Sequence, residues 1–485
     1  MKIIECGGVW VGPGRPSLGP TRIYIAEGMI EDMEAAPEIH SDLFVIPAFV
    51  DAHCHFLWSG LQTVMLDLGE AGSAGEMLDM VSRESGTDGT GSILRGFGFD
   101  ESTWSGGGLP SLEELDRASG DRPAILRRVC GHTALLNSSM MRLLPEDSPG
   151  LDRSTGIVRE GINSDLGRMF PPEGKVLRQA CRNAVRMAQA VGVTSVYTFE
   201  NYMTSKVLRD SKPGMRISIC LYGNEVLDDP RGSALKEASG LKFFLDGSIG
   251  ASTAAISGKY SDGSEAFPLM SEAEVMEALE LSDSLNVVPV FHAIGGRALS
   301  LLDRVSGAFL DERGGRCPHG IRVEHAEDLA SCWPGSWDPE VHCFVMQPNF
   351  VNRWQMPGGL YEQKLGPETA LSLNPFRQVM DADFRVAFGS DGMPFGPLLG
   401  LAGATGHPDP EQRLAVDAAL YAYTLEAASV CGFREIAGSL RPDRVADLAV
   451  LSGNPFTTHW EELEVVGTLY KGRVVFEKER VLQEI

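Results

Sequence analysis

The stretch Val45-Ile46-Pro47-Ala48-Phe49-Val50-Asp51-Ala52-His53-Cys54-His55 decides how the rest of the chain is read. Six of the seven residues from Val45 to Asp51 are apolar, the composition of a strand buried on both faces in a parallel sheet covered by helices. The run ends in His-x-His. In extended backbone, residues i and i+2 face the same side, so His53 and His55 can turn both imidazoles toward one point, as metal ligation requires. A buried histidine can also be hydrogen-bonded within a core. What the other strand ends supply decides between the two.

Further apolar runs end in the same chemistry. Gly240-Leu241-Lys242-Phe243-Phe244-Leu245-Asp246-Gly247 places Lys242 where a charge is costly without a partner. Val287-Val288-Pro289-Val290-Phe291-His292 and Gly320-Ile321-Arg322-Val323-Glu324-His325 end on histidines, and Arg385-Val386-Ala387-Phe388-Gly389-Ser390-Asp391 ends on an aspartate. In chain order the strand ends present His53, His55, Lys242, His292, His325 and Asp391, a donor set that supplies two metal centres rather than one.

The text around these residues resembles the amidohydrolase superfamily, and within it the amidohydrolase-3 or YtcJ-like group that includes N-substituted formamide deformylases. The matching pieces are residues 47–55, Gly131-His132-Thr133-Ala134-Leu135-Leu136-Asn137-Ser138, residues 242–252 with Asp246-Gly247-Ser248, His292-Ala293-Ile294-Gly295, Glu324-His325-Ala326, Gln347-Pro348 and Ser390-Asp391-Gly392. The similarity therefore runs nearly full length. One position departs: where the group reads His-Ala-Ile-Gly-Asp-Arg-Ala, Gly296 stands before Arg297-Ala298. A carboxylate is missing near His292, but no expected metal ligand is lost.

The resemblance implies a binuclear centre. His53 and His55 with Asp391 would hold one divalent ion, His292 with His325 the other, and Lys242, N-carboxylated by carbon dioxide, would bridge them. Zinc is the leading expectation, with manganese, iron or cobalt accepted by the same ligands. The alternative for Lys242, a side chain snorkelling out of its strand, is opposed by Phe243 and Phe244 beside it. Metal-activated hydroxide would attack a carbonyl, with Asp391 the general base that passes the proton to the leaving amine; an aspartate there also suits a helix N-cap. The expected reaction is hydrolysis of a non-peptide carbon–nitrogen bond in a small amide, N-formyl or N-acyl compound. The alternatives are a one-metal deaminase, an esterase or lactonase on the same barrel, and a non-catalytic regulatory relative. The deaminases of the superfamily usually carry His-x-x-Glu after the fifth strand, whereas His292 precedes Ala293-Ile294-Gly295.

Substrate contacts are assigned to His132, Asp100, Trp104 and Arg297. For His132 the alternative is a hydrogen-bonded structural histidine, and for the other three, which are weaker candidates, it is loop packing or solvated charge. Glu160 and Glu200 are carboxylates of open role.

Composition bounds the remainder. With 485 residues, 43% hydrophobic and 22% charged, the chain suits one large barrel plus a smaller domain. A net charge of -24 opposes nucleic acid and anionic membrane as partners. The partner expected is a small-molecule substrate, with a homodimer as a further expectation. Nine cysteines, none spaced as Cys-x-x-Cys, indicate neither a disulfide framework nor a zinc knuckle. The amino terminus does not read as a charged-then-apolar leader, and apolar runs of transmembrane length are lacking, so a cytoplasmic protein is expected.

Between the ends, apolar strands alternate with helical periodicity. Runs at 45–55, 124–129, 192–200, 241–246, 287–292, 321–325, 341–347 and 385–391 count eight, predicting an α/β fold of the (β/α)8 TIM type with functional groups at the carboxyl ends of the strands. Residues 1–46 hold too few residues for a stable separate sheet and are expected to join residues 438–485 in a composite β-sandwich. The barrel then spans 47–437, with a long excursion of lids and substrate loops at about 60–172.

Overall fold

The computed structural model of the chain describes residues 1–86, 92–104, 108–129, 133–159, 166–167, 169–229 and 233–479. They divide into two compact units, Met1–Phe56 with Val185–Ile485, and Leu57–Ala184.

The first unit is built on eight parallel strands that pair in chain order: Phe49–Cys54, Val193–Glu200, Arg216–Tyr222, Gly240–Phe244, Val288–Ala293, Ile321–His325, His342–Met346 and Arg385–Phe388. The ring is nearly closed, as a TIM-type barrel requires. Beyond the last strand, Asp391 N donates to His53 O at 2.7 Å and His55 N donates to Asp391 O at 3.4 Å, beside a parallel bridge between Cys54 and Asp391. This seam depends on a glycine: a Cβ on Gly389 would lie 2.4 Å from His53 N. The helices cover the barrel through one apolar face. In Gly296–Glu312 the buried residues Leu299, Leu302, Val305, Phe309 and Leu310 recur at helical spacing, and Glu272–Ser284 opens on a capping box between Ser271 and Glu274.

Two predicted barrel strands are corrected. The run at 45–55 is two strands, not one. Phe44–Pro47 pairs antiparallel with Leu448–Leu451 in a terminal sheet, and the barrel strand starts at Phe49, because Pro47 has no N–H with which to continue a ladder. The run at 124–129 is not a barrel strand; Ala124–Arg128 lies in the sheet of the second unit between Leu94–Phe99 and Thr133–Leu136. The strand missed was Arg216–Tyr222, which follows the helix Tyr202–Ser211. Its Arg-Ile-Ser-Ile-Cys-Leu-Tyr text carries less unbroken apolar character than the Ala-Ile-Leu of the competing run.

The amino-terminal segment does form a sheet by itself, contrary to expectation: Lys2–Cys6, Thr21–Ala26 and Met29–Ala35 pair antiparallel. A five-stranded sheet draws on both chain ends, in the order Gly8–Val9, Phe44–Pro47, Leu448–Leu451, Val465–Tyr470, Arg473–Glu477. One apolar cluster contains Ile4, Ile23 and Ile25 from the first sheet and Val45, Leu448, Val450 and Leu469 from the second, and this shared burial compensates for the small size of the amino-terminal sheet.

The second unit contains most of the predicted excursion, but it is folded rather than loop-like. Its six-stranded sheet runs Leu151–Asp152, Ile157–Arg159, Thr133–Leu136, Ala124–Arg128, Leu94–Phe99, Leu66–Asp67. Leu68, Met77, Phe99 and Leu126 belong to one apolar cluster, and Ile125, Leu136 and Val158 to another. Among the described residues, no helix is long and apolar enough to cross a membrane.

Candidate metal centre

The barrel aligns its strands, so ligand-type residues at their carboxyl ends are brought to one place. Nε2 of His53 and Nε2 of His55 lie 3.2 and 3.1 Å from the same atom, Asp391 Oδ1. Ligand atoms of His53, His325 and Asp391 all fall within 4.8 Å of one another. The His325 ring is 4.8 Å from the His53 ring and 4.4 Å from the His292 ring, centroid to centroid. Three non-glycine residues here hold left-handed backbone, His325 at φ 72°, Ala326 at 51° and Asp391 at 59°. Such strain costs roughly 1–3 kcal/mol per residue and concentrates at functional sites.

The imidazoles are oriented from behind. His53 Nδ1 bonds to Glu324 Oε2, His325 Nδ1 to Gln347 Oε1 at 2.7 Å, and His292 Nε2 to Gly247 O at 3.0 Å. A ring nitrogen facing a fixed acceptor carries the proton, which leaves the opposite nitrogen with its lone pair. Burial pushes His292 down to about 3 and His325 well below the ordinary imidazole value, so both are neutral at pH 7, the ligating form. Burial raises the Asp391 carboxyl, but the imidazoles of His53, His55 and His325 around it outweigh that and hold the group well below its ordinary value.

Lys242 is 2% exposed and its Nζ has no hydrogen-bond partner among the described residues. The ammonium lies 4.2 Å from the Phe199 ring centroid and 5.5 Å from that of Phe244, and burial pushes its pKa down to about 8. A buried polar group without a partner needs an explanation. Neutral imidazoles, an ionised carboxylate and an amine next to them form a donor set that fits divalent ions.

Several supporting residues were not assigned roles from sequence. Asp246 accepts from Ala255 N, Ile294 N and Gly295 N at 2.8–3.0 Å, fixing the loop after His292. Asp51 accepts from His53 N and Ser390 N at 3.1 Å and from Ser390 Oγ at 2.5 Å, tying the barrel seam from inside. Glu324, Gln347 and the Gly247 carbonyl orient histidines. A carboxylate inside an apolar strand, as at Asp51 and Glu324, was the signal that could have found two of them.

Arg297 opens the helix after His292, lies over the Phe267 ring at 4.9 Å and pairs with Glu265 at 3.3 Å. Asp100 and Trp104 belong to the second unit, where Asp100 caps a short 3-10 helix and pairs with Arg128 Nη2 at 2.7 Å, while Trp104 is 7% exposed in an apolar cluster. His132 and Glu160 lie outside the described residues. Glu200, 4% exposed at the end of the second barrel strand, accepts from Thr198 Oγ1 at 2.8 Å.

A nearly closed parallel barrel with imidazoles and a carboxylate gathered at its strand ends is the arrangement of a metal-dependent hydrolase. The chain belongs to the amidohydrolase family, whose model matches residues 41–476. It is thus a hydrolase of carbon–nitrogen bonds other than peptide bonds, metal-dependent and acting on a small molecule. Protein LONG AFTER FAR-RED 3 of Arabidopsis thaliana is 27% identical over 86% of this chain and 79% of its own length. The putative amidohydrolase YtcJ of Bacillus subtilis and the N-substituted formamide deformylase of Arthrobacter pascens are each 23% identical, over 94% and 97% of this chain and 96% and 95% of their own. Among solved structures, an uncharacterized metal-dependent hydrolase from Pyrococcus furiosus superposes with a TM-score of 0.75 at 25% identity, covering 94% of this chain and 100% of its own.

Proposed function

We propose that His53, His55, His292, His325 and Asp391 hold two divalent ions, zinc fitting best, that Lys242 is N-carboxylated to bridge them, and that the enzyme hydrolyses a small amide, N-formyl or N-acyl compound. The observation that carries this is the grouping of the His53, His325 and Asp391 ligand atoms within 4.8 Å. Lys242 supports the bridge: carbon dioxide reacts with the neutral amine, and a pKa of about 8 leaves a useful neutral fraction near pH 7. Carboxylation also removes an unpartnered cation from among the ligands.

When bound, divalent ions supply Lewis-acid polarisation of the scissile carbonyl and acidify water. The chain's own residues do the rest. His325 holds its proton on Nδ1 against Gln347, and His292 holds its proton on Nε2 against Gly247, so each presents one lone pair. The Asp391 carboxylate, held ionised, accepts the proton of the attacking water and returns it to the departing nitrogen. Asp246 keeps the loop behind His292 from moving. We place the composite β-sandwich on the apolar cluster shared by the two terminal sheets, and the enzyme in the cytoplasm, in keeping with the free cysteines.

The Arthrobacter relative makes N-substituted formamides the first substrates to test. Zinc-reconstituted protein is incubated with a panel of N-formyl and N-acyl amines while amine release is followed. Hydrolysis that falls about 100-fold or more in Asp391→Asn supports the reading. An inert panel alongside ammonia release from aminated heterocycles would replace it with a deaminase.

A further inference from the structure

Inside the barrel, beneath the candidate metal centre, lies a complete charge pair that the proposed reaction does not use. Arg322 and Glu324 stand two apart on the sixth barrel strand, so their side chains enter on the same face, and they are 1% and 0% exposed. Barrel interiors are usually filled by branched apolar side chains, and burying two full charges carries a large desolvation cost unless further hydrogen bonds are made.

The pair makes such bonds within itself and to the first strand, while Arg322 Nη1 has no hydrogen-bond partner among the described residues. Arg322 Nε donates to Glu324 Oε1, Arg322 Nη2 donates to Ala52 O, and the guanidinium lies 3.9 Å from the Tyr197 ring centroid. Glu324 Oε2 in turn accepts from His53 Nδ1. The two side chains thus hold both the carbonyl immediately before His53 and the ring of His53. The first and sixth strands are not neighbours in the sheet, so no backbone ladder sets their separation; the Arg322–Glu324 strut spans it.

We infer that Glu324, itself held by Arg322, is the positioning residue that fixes the tautomer of His53, keeping the proton on Nδ1 and leaving the Nε2 lone pair for a metal ion. This rests on the reading of His53 as a ligand. Both partners of the Glu324 carboxylate are donors, so it must accept twice. Glutamine cannot replace it, because an amide offers one acceptor and one donor group. With the NH2 toward His53, Nδ1 becomes the acceptor and the proton moves to Nε2, where it blocks ligation. With the NH2 toward Arg322, two donors oppose each other in a dry interior.

The test uses chelator-stripped full-length protein and zinc as the probe. Zinc affinity is measured by competition with a chromophoric chelator, and the thermal midpoint of each apoprotein is recorded beside it. Glu324→Gln is expected to weaken zinc binding about 10- to 100-fold, as loss of a metal-histidine orienting partner does, with Glu324→Asp recovering part of the loss. Glu324→Gln leaves a strained buried cation and can fail to fold, so the neutral pair Arg322→Met with Glu324→Leu is measured as well. Replacing both ions by apolar groups tends to preserve or raise stability. This double variant is expected to keep its thermal midpoint and still lose zinc affinity by the same factor. Nitrogen NMR of the zinc-loaded, histidine-labelled parent is expected to place a proton on Nδ1 of His53. Parent-like zinc affinity in the double variant, or in Glu324→Gln with a lowered midpoint, overturns the inference and leaves the pair a structural role. A parent that takes up no zinc overturns the ligand reading itself.

Discussion

Lys242→Met is expected to stabilise the metal-free protein while abolishing its function. The Lys242 amine is 2% exposed, has no hydrogen-bond partner among the described residues, and is pushed by burial from 10.5 to about 8. One pKa unit corresponds to about 1.4 kcal/mol, so at pH 7 the metal-free fold carries a penalty of about 3 kcal/mol for keeping this group protonated. Methionine has a similar volume and no charge, and removes the penalty without opening a cavity. The pH dependence has a definite sign. Below pH 8 both the folded and unfolded states hold the proton, and the penalty is constant and full. Between about pH 8 and 10.5 the unfolded chain holds it and the folded one does not, so stability of the parent rises with pH relative to the variant. Urea unfolding of chelator-treated, carbon-dioxide-free protein, followed by tryptophan fluorescence at pH 7 and pH 10, measures both effects. The difference between variant and parent should be about 3 kcal/mol at pH 7 and shrink to roughly a quarter of that at pH 10. A variant no more stable than the parent at pH 7, or a difference that does not change with pH, would refute the reasoning. Retaining a lysine that weakens the metal-free fold follows the common conflict between stability and activity.

Two further substitutions separate the barrel seam from the barrel base. Gly389→Ala would push a methyl group to 2.4 Å from His53 N and 2.7 Å from His53 Cβ; overpacking of this kind costs about 1–3 kcal/mol or more, and metal content should fall with the displacement of His53. Arg216→Ala would leave the Asp447 carboxylate, 4% exposed, with the Lys471 amide at 2.7 Å but without the guanidinium that pairs with it. Removing one partner of a buried pair costs about 3–5 kcal/mol, so the denaturation midpoint should drop, while metal content per folded chain stays at the parent value.

The candidate metal centre was legible because ligand-type side chains recur in and at the ends of apolar strands. His53, His55, His292, His325 and Asp391 each close an apolar run and Lys242 stands inside one, and a parallel barrel brings such strands together whatever lies between them. The strand inventory was less legible. Pro47 interrupts a run that is apolar on both sides of it, and the run at 124–129 has the same local character as a barrel strand, so only the pairing of distant segments separates them. Arg322 and Glu324 were visible as charges in an apolar strand, but their partners, Ala52 and His53, lie on a strand distant in sequence. Spacing along one strand cannot reveal a bond across the barrel. Asp100 caps a short 3-10 helix and Trp104 lies in an apolar cluster, within a sheet-bearing unit where the sequence pattern predicted loops.

The central claim, a lysine-bridged pair of ions at the barrel strand ends, is tested most directly by elemental analysis of metal per chain. Protein purified without chelator is compared with the Lys242→Ala variant. The account predicts close to two ions per chain in the parent and a loss in the variant. A single ion that the substitution leaves in place would contradict the bridge and favour a one-metal enzyme on the same barrel.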